Sequence, residues 1–165
     1  YTYLRMMLWL LVPAVLAIGP FPCNYTEAGK TWTMSSLFNP AGYKVEDKSG
    51  NTFQINVCGS IKAGSEICKI DKPGTASAVW YNANAKNCTV LGEGDLYSFD
   101  RNPSKKGVYI TNYHGALTSA DTIDNWSIRI YFECGTTGSP EFEHFYPHSG
   151  LPYMAHFEWV TQLAC

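Results

Sequence analysis

The sequence predicts an all-β domain, an antiparallel sandwich or flattened barrel, on three observations. Short β-rich runs alternate with Gly, Pro, Asn and Asp punctuation, and no long helical period interrupts them. Two runs near the carboxyl end alternate with a period of two and each deliver a cysteine. Six cysteines, at 23, 58, 68, 88, 134 and 165, fit disulfides formed in an oxidising compartment. At 165 residues the chain is one domain by size, with enough length to bury a substantial core.

In chain order, the stretch Leu4 to Gly19 comes first, with Arg5 ahead of an apolar run from Met6 to Ile18. Val15 and Ala17 supply the small residues of a cleavage point, so residues 1–17 read as a signal peptide, and 18–165 as the mature domain. The run is shorter than the ~20 apolar residues of a spanning helix. The chain opens on Tyr1 rather than Met, which suggests a truncated start.

Strands are then expected at Phe53–Cys58, Ala76–Tyr81, Cys88–Leu91, Gly107–Tyr113, Ile128–Cys134 and Phe157–Leu163. Turn-rich loops fall at Lys62–Ser65, Lys72–Gly74 and Asp100–Lys106, and an irregular excursion at Tyr146–Pro152. In the last two strands the alternation is explicit. Trp126, Ile128, Ile130, Phe132 and Cys134 share one face, Ser127, Arg129, Tyr131 and Glu133 the other; Phe157, Trp159, Leu163 and Cys165 share a face in the final run. If those apolar faces enter the same core, Cys134 and Cys165 are natural partners.

A net charge of −2 with scattered Lys and Arg gives no basic stripe, which excludes nucleic acid as the expected partner. Three acceptors for N-glycosylation, at Asn24, Asn87 and Asn125, agree with passage through the secretory lumen. No nucleophile elbow, phosphate-cradling loop or dinucleotide fingerprint occurs, and the cysteines are better spent in disulfides, so the chain reads as a non-enzyme. His144 and His148 stand four apart with His156 beyond, but Pro147, Gly150 and Pro152 break the helix that would make this a zinc spacing. No metal ligand and no cofactor is expected. Solvated loop histidines are favoured over a pH-sensitive loop.

The strings Phe53-Gln-Ile-Asn-Val-Cys-Gly-Ser60, Val90-Leu-Gly92, Phe132-Glu-Cys134, Pro140-Glu-Phe142 and Phe157-Glu-Trp159 through Ala164-Cys165 occur in that order, each beside a cysteine or a strand. Together they resemble the mannose 6-phosphate receptor homology domain, from about Cys23 to Cys165. Within that family the chain is most like the amino-terminal repeat of the cation-independent receptor, through Pro20-Phe-Pro-Cys23 and the block from Cys134 to Phe142. The resemblance implies a flattened barrel of two roughly orthogonal sheets. It implies the pairs Cys23–Cys58 and Cys134–Cys165, with Cys88 substituting as partner of Cys68.

Family members that bind mannose 6-phosphate use Gln, Arg, Glu and Tyr. The amide, carboxylate and phenol read sugar hydroxyls, and the guanidinium offers a rigid fork of donors. Carried over by position, the Gln falls at Trp80 or Tyr81, the Arg at Trp126, the Glu at Glu143 with Glu141 nearby, and the Tyr at Ala155 with Tyr153 close. The candidate ligand residues are therefore Glu143, Tyr81, Trp80, Trp126 and Tyr153, with packing the favoured role for the two tryptophans. Arg129 is an odd step from Trp126 and falls on the other face of its strand. The resemblance implies a lumenal receptor domain in lysosomal enzyme sorting, its partners neighbouring repeats and acid hydrolase glycoproteins, with membrane attachment only through a span outside this segment. This repeat would scaffold rather than bind the sugar. The alternatives are a small lectin-like module or accessory subunit of the endoplasmic reticulum and Golgi, and a growth-factor binding module.

Overall fold

The computed structural model describes residues 23–62, 64–69, 74–103, 106–115, 126–146 and 153–165. The signal-like segment 1–17, the acceptor Asn125 and the loop residue His148 lie outside them. Among the described residues the strands are β1 (Asn24–Glu27), β2 (Lys30–Thr33), β3 (Tyr43–Glu46), β4 (Thr52–Ile55), β5 (Ala76–Asn82), β6 (Asn87–Arg101), β7 (Gly107–His114), β8 (Ser127–Cys134), β9 (Glu141–Tyr146) and β10 (Met154–Thr161). Short 3-10 turns occupy Ser35–Leu37 and Gln162–Ala164.

β1 and β2 form a separate hairpin, and the remaining eight strands form one sheet in the order β3-β4-β5-β6-β7-β8-β10-β9. The hairpin turns at Ala28 and Gly29, both at positive φ (49° and 80°), the twist that suits a two-residue connection. The eight-stranded sheet folds over on itself into a flattened β-sandwich. Phe53 of β4 stacks on Phe142 of β9 at 4.5 Å and meets Phe157 of β10 edge-on at 5.3 Å, so opposite ends of the sheet face one another. Ile55, Leu91, Val108, Ile110, Ile128, Ile130 and Phe132 complete the core between the layers.

Period-two reading holds along β8, where Ile128, Ile130 and Phe132 are buried and Arg129, Tyr131 and Glu133 are half-buried on the other side. It fails at the end of β10. Phe157 and Trp159 are buried, but the strand stops at Thr161, whose side chain accepts the N–H of Leu163 at 3.3 Å and caps a 3-10 turn. That turn breaks the alternation, so Leu163 is 38% exposed instead of sharing the face of Phe157. Both Cys134 and Cys165 are exposed as well.

The expected all-antiparallel sheet also needs correction, because β10 pairs in parallel with β8 from Met154↔Ser127 to Thr161↔Cys134. A parallel neighbour requires a long connection. The chain supplies it by sending β9 to the outer edge and returning β10 between β9 and β8. This arrangement brings the ends of β8 and of the chain together, and Cys134 bonds Cys165 with Cα atoms 4.4 Å apart. The other disulfides join Cys23 to Cys58 and Cys68 to Cys88.

Polar groups close the remaining gaps. Gln54, fully buried, donates to the carbonyl of Ala41 at 2.6 Å and accepts from Ser65 Oγ and the Glu66 N–H, both at 2.9 Å. Its amide thus replaces the backbone partners that two loops lack. Trp32 Nε1 donates to the Ala164 carbonyl at 3.2 Å, and Lys30 Nζ to that of Cys165, docking the hairpin on the chain end.

Phe53 has no exposed surface and touches aromatic rings from both layers. Phe53→Ala is expected to lower unfolding free energy by about 3–5 kcal/mol, the cost of a large aromatic cavity that rigid neighbours cannot fill. Urea denaturation monitored by tryptophan fluorescence measures it; a loss under about 1 kcal/mol would mean the layers do not depend on this contact.

Candidate functional site

The candidate ligand residues divide between two faces of the sandwich. On the inner side, Trp80 of β5 pairs with Phe53 of β4 across the strands, and its ring lies 4.8 Å from Phe145 of β9 and 5.6 Å from Trp126. Trp126, just before β8, packs against Phe145 at 5.6 Å and stacks on Tyr153 at 4.9 Å and 28°. Trp80 and Trp126 are half-buried; Tyr153 is 44% exposed and forms the rim. The indole Nε1 of Trp80 is buried without a hydrogen-bond partner. Tyr81 follows Trp80 and by strand alternation turns to the opposite face, across from Thr52 and Cys88. The structure thus unites Trp80, Trp126 and Tyr153 and leaves Tyr81 apart.

Glu143 does not join them. β9 and β10 pair His144 with His156 and then Phe142 with Phe157, which leaves Glu143 as the extra residue of a β-bulge. The bulge interrupts alternation, so Phe142 and Phe145 both point inward while Glu143 and His144, though consecutive, are both exposed. Glu143 consequently lines an outer groove of about 380 Å³ with Asn102, Tyr109, Arg129, Tyr131, His144, Tyr146, His156 and Glu158. Glu143 and Arg129 therefore lie on one surface, opposite the tryptophans.

Within this groove the rings form a continuous layer. Arg129 lies 4.7 Å over the Tyr109 ring and donates from Nε to Thr111 Oγ1 at 2.9 Å. Tyr109 and Tyr131 are 5.6 Å apart, Tyr131 meets His156 edge-on at 5.5 Å, and Tyr146 stacks on His156 at 5.4 Å. His144 lies 4.8 Å from His156, and its Nδ1 is 3.9 Å from a Glu143 carboxylate oxygen. Burial, reinforced by His144 and Arg129 nearby, pushes the His156 pKa down to about 4. Burial pushes Tyr109 up, with the Asp100 carboxylate adding to it.

Sequence reasoning placed Arg129 on the outer face but gave no sign that His144, His156 and Glu143 would meet it there. The signal available was weak: two exposed residues side by side between Phe142 and Phe145, a spacing that an unbroken strand cannot put in one core.

No family model matches the sequence, and none of the curated proteins matches it. Solved structures do. Domain 11 of the echidna M6P/IGF2R receptor superposes with a TM-score of 0.59 at 20% identity, covering 87% of this chain and 94% of that one. Domain 11 of chicken IGF2R gives 0.65 at 18% identity, covering 87% and 90%. The chain has the fold of a mannose 6-phosphate receptor homology domain. In this homology-domain fold the inner aromatic cluster and the outer groove are both built on strands, so their geometry is set by the sheet.

The state of His156 carries a pH dependence. An unfolded histidine takes a proton near pH 6.5, whereas the folded one resists it to about pH 4, so between these values the unfolded chain binds more protons. Stability should therefore fall as pH drops from about 6.5 to about 4, by on the order of 2 kcal/mol, and this contribution should be fully present above about pH 6.5. Urea midpoints at pH 7 and pH 4 in wild type and His156→Phe measure it. An equal drop in the variant would assign the effect to other groups.

Proposed function

We propose that the chain is a receptor domain of the lumenal or extracellular side, the amino-terminal repeat of a cation-independent mannose 6-phosphate receptor-like protein that sorts lysosomal enzymes. In this reading it orients neighbouring repeats rather than binding phosphomannose itself. The observation that carries the scaffold role is the split of the candidate set. Trp126, carried over as the Arg position, and Trp80, one of the two residues carried over for Gln, pack with Phe145 and Tyr153, while Glu143 is held by its bulge on the other face. Among the described residues, a sugar phosphate at the cluster would meet rings and an indole N–H without a partner, with no guanidinium or carboxylate converging on it. Desolvating the phosphate there would go uncompensated.

The fold, three disulfides and exposed acceptors at Asn24 and Asn87 support an oxidising, glycosylating compartment. Among the described residues no helix is long and apolar enough to cross a membrane. The reading as a non-enzyme rests on the receptor fold and on the absence of catalytic motifs in the sequence.

A second reading, a growth-factor binding module, is favoured by the names of both structural neighbours, which are domains of IGF2R receptors. The exposed Tyr153 stacked on Trp126 would be its aromatic anchor.

The two readings separate in one assay. Surface plasmon resonance against phosphomannosyl glycans is expected to give no saturable binding up to about 1 mM, an affinity limit near 4 kcal/mol. Saturable glycan binding that Trp126→Ala or Glu143→Gln weakens would sink the scaffold role. Saturable binding of insulin-like growth factor II, lost in Tyr153→Ala, would establish the second reading in its place.

A further inference from the structure

The outer groove contains a donor set in which Glu143, the carried-over glutamate, stands beside two histidines that the sugar-binding positions do not include. His144 and His156 face each other directly across β9 and β10, and the bulge aims Glu143 at the same point. One ligand atom from each of the three lies within 4.8 Å of the others. We propose that Glu143, His144 and His156 form a binding site for a divalent transition ion of the zinc class.

The geometry fits with small adjustment. Bonds of about 2.0–2.1 Å in a tetrahedral centre place donor atoms about 3.3 Å apart. Glu143 and His144 lie on the exposed side of β9, while buried His156 is fixed by Tyr131 and Tyr146 and sets the position of the ion. Two residues directly opposed on antiparallel strands hold their Cβ atoms about 4.5–5.5 Å apart, a span that two imidazoles bridge by converging on one ion. The strand framework supplies this convergence without the helix that the sequence spacing lacked.

The donor chemistry selects the ion. Two imidazoles and one carboxylate suit zinc, copper or nickel, and are a poor match to calcium or magnesium, which take all-oxygen shells. His156 is buried between Tyr131 and Tyr146, so its ring is already oriented toward His144, 4.8 Å away. Arg129 opposes a cation in the groove, but its guanidinium is engaged with Thr111 and Tyr109, and the carboxylates of Glu143 and Glu158 on the same lining outnumber it. Because Glu143 and His144 are on the surface, the fourth coordination position faces solvent and would take water or a donor group from a binding partner.

The test is isothermal titration of the full, untagged, disulfide-intact chain with zinc chloride at pH 7.4, beside calcium and magnesium chloride. Cobalt(II) is added separately to read coordination by its visible absorption. One equivalent of zinc is expected, with a Kd in the micromolar range or tighter, no comparable response to calcium or magnesium, and the intense absorption of a tetrahedral cobalt centre. His144→Ala and Glu143→Gln should each weaken zinc binding at least tenfold. Both positions are exposed, so these variants should melt at the wild-type temperature without metal, which separates ligand loss from misfolding. No zinc binding, equal binding of calcium, or unchanged zinc affinity in the His144→Ala, Glu143→Gln double variant would overturn the proposal.

Discussion

The contact on which this structure depends is the meeting of Phe53 with Phe142 and Phe157. An eight-stranded sheet with one apolar face has no stable form until that face is covered, and there is no helical layer among the described residues to cover it. The sheet covers itself. Phe53, near one edge, inserts between rings from β9 and β10 near the other, and this fold-over buries Ile55, Leu91, Ile110 and Ile130 behind it. Two further devices depend on it. The parallel return of β10 is stable because Phe157 and Trp159 reach this core, and the disulfide Cys134–Cys165 then closes ends that packing has already aligned.

Much of the fold was legible because alternation is a local property. Ile128, Ile130 and Phe132 report a buried face wherever the partner strands lie, and the all-β class and its disulfide stapling follow from that pattern with the cysteine count. Pairing is not local. Nothing in Phe157 to Thr161 states that its neighbour is parallel, since the same side chains face the same core in either direction. β9 escaped because its bulge breaks the alternation, and the short strands β1, β2 and β3 for a different reason. Runs of four residues such as Lys30–Thr33, with Trp32 alone buried, carry too little pattern to stand out from a loop. The last turn failed through competition, because Thr161 offers its side-chain oxygen to the backbone and ends the strand before Leu163.

The candidate site shows the same division between local and non-local information. Counting by twos put Arg129 outside, as observed. The resemblance carried the family's Glu to Glu143, and one extra residue in the ladder holds that side chain on the outer face, away from the tryptophans. A single bulge moves every later side chain to the other face, so a position carried over from a resemblance keeps its place in the sequence while losing its place in the site. Here the bulge is required by packing, since Phe142 and Phe145, three apart, both contribute rings to the core. The aromatic core, acting through the bulge, holds Glu143 on the outer face.

This displacement explains why the inner cluster reads as a unit. A guanidinium at position 126 would stand between Phe145 and Trp80, and Glu143 could not pair it because the ladder of β9 and β10 holds that carboxylate on the outer face. An amide at position 80 would lose the stack with Phe53 and gain no sugar. Each polar group of a phosphomannose site is tolerable only when the others and the ligand satisfy it, so the set is held or lost together. The aromatic filling is the coherent alternative, and the unpartnered Nε1 of Trp80 is a residual cost of it. Polar function on this frame has room to develop on the opposite surface, where Glu143 and His144 are exposed beside the buried His156.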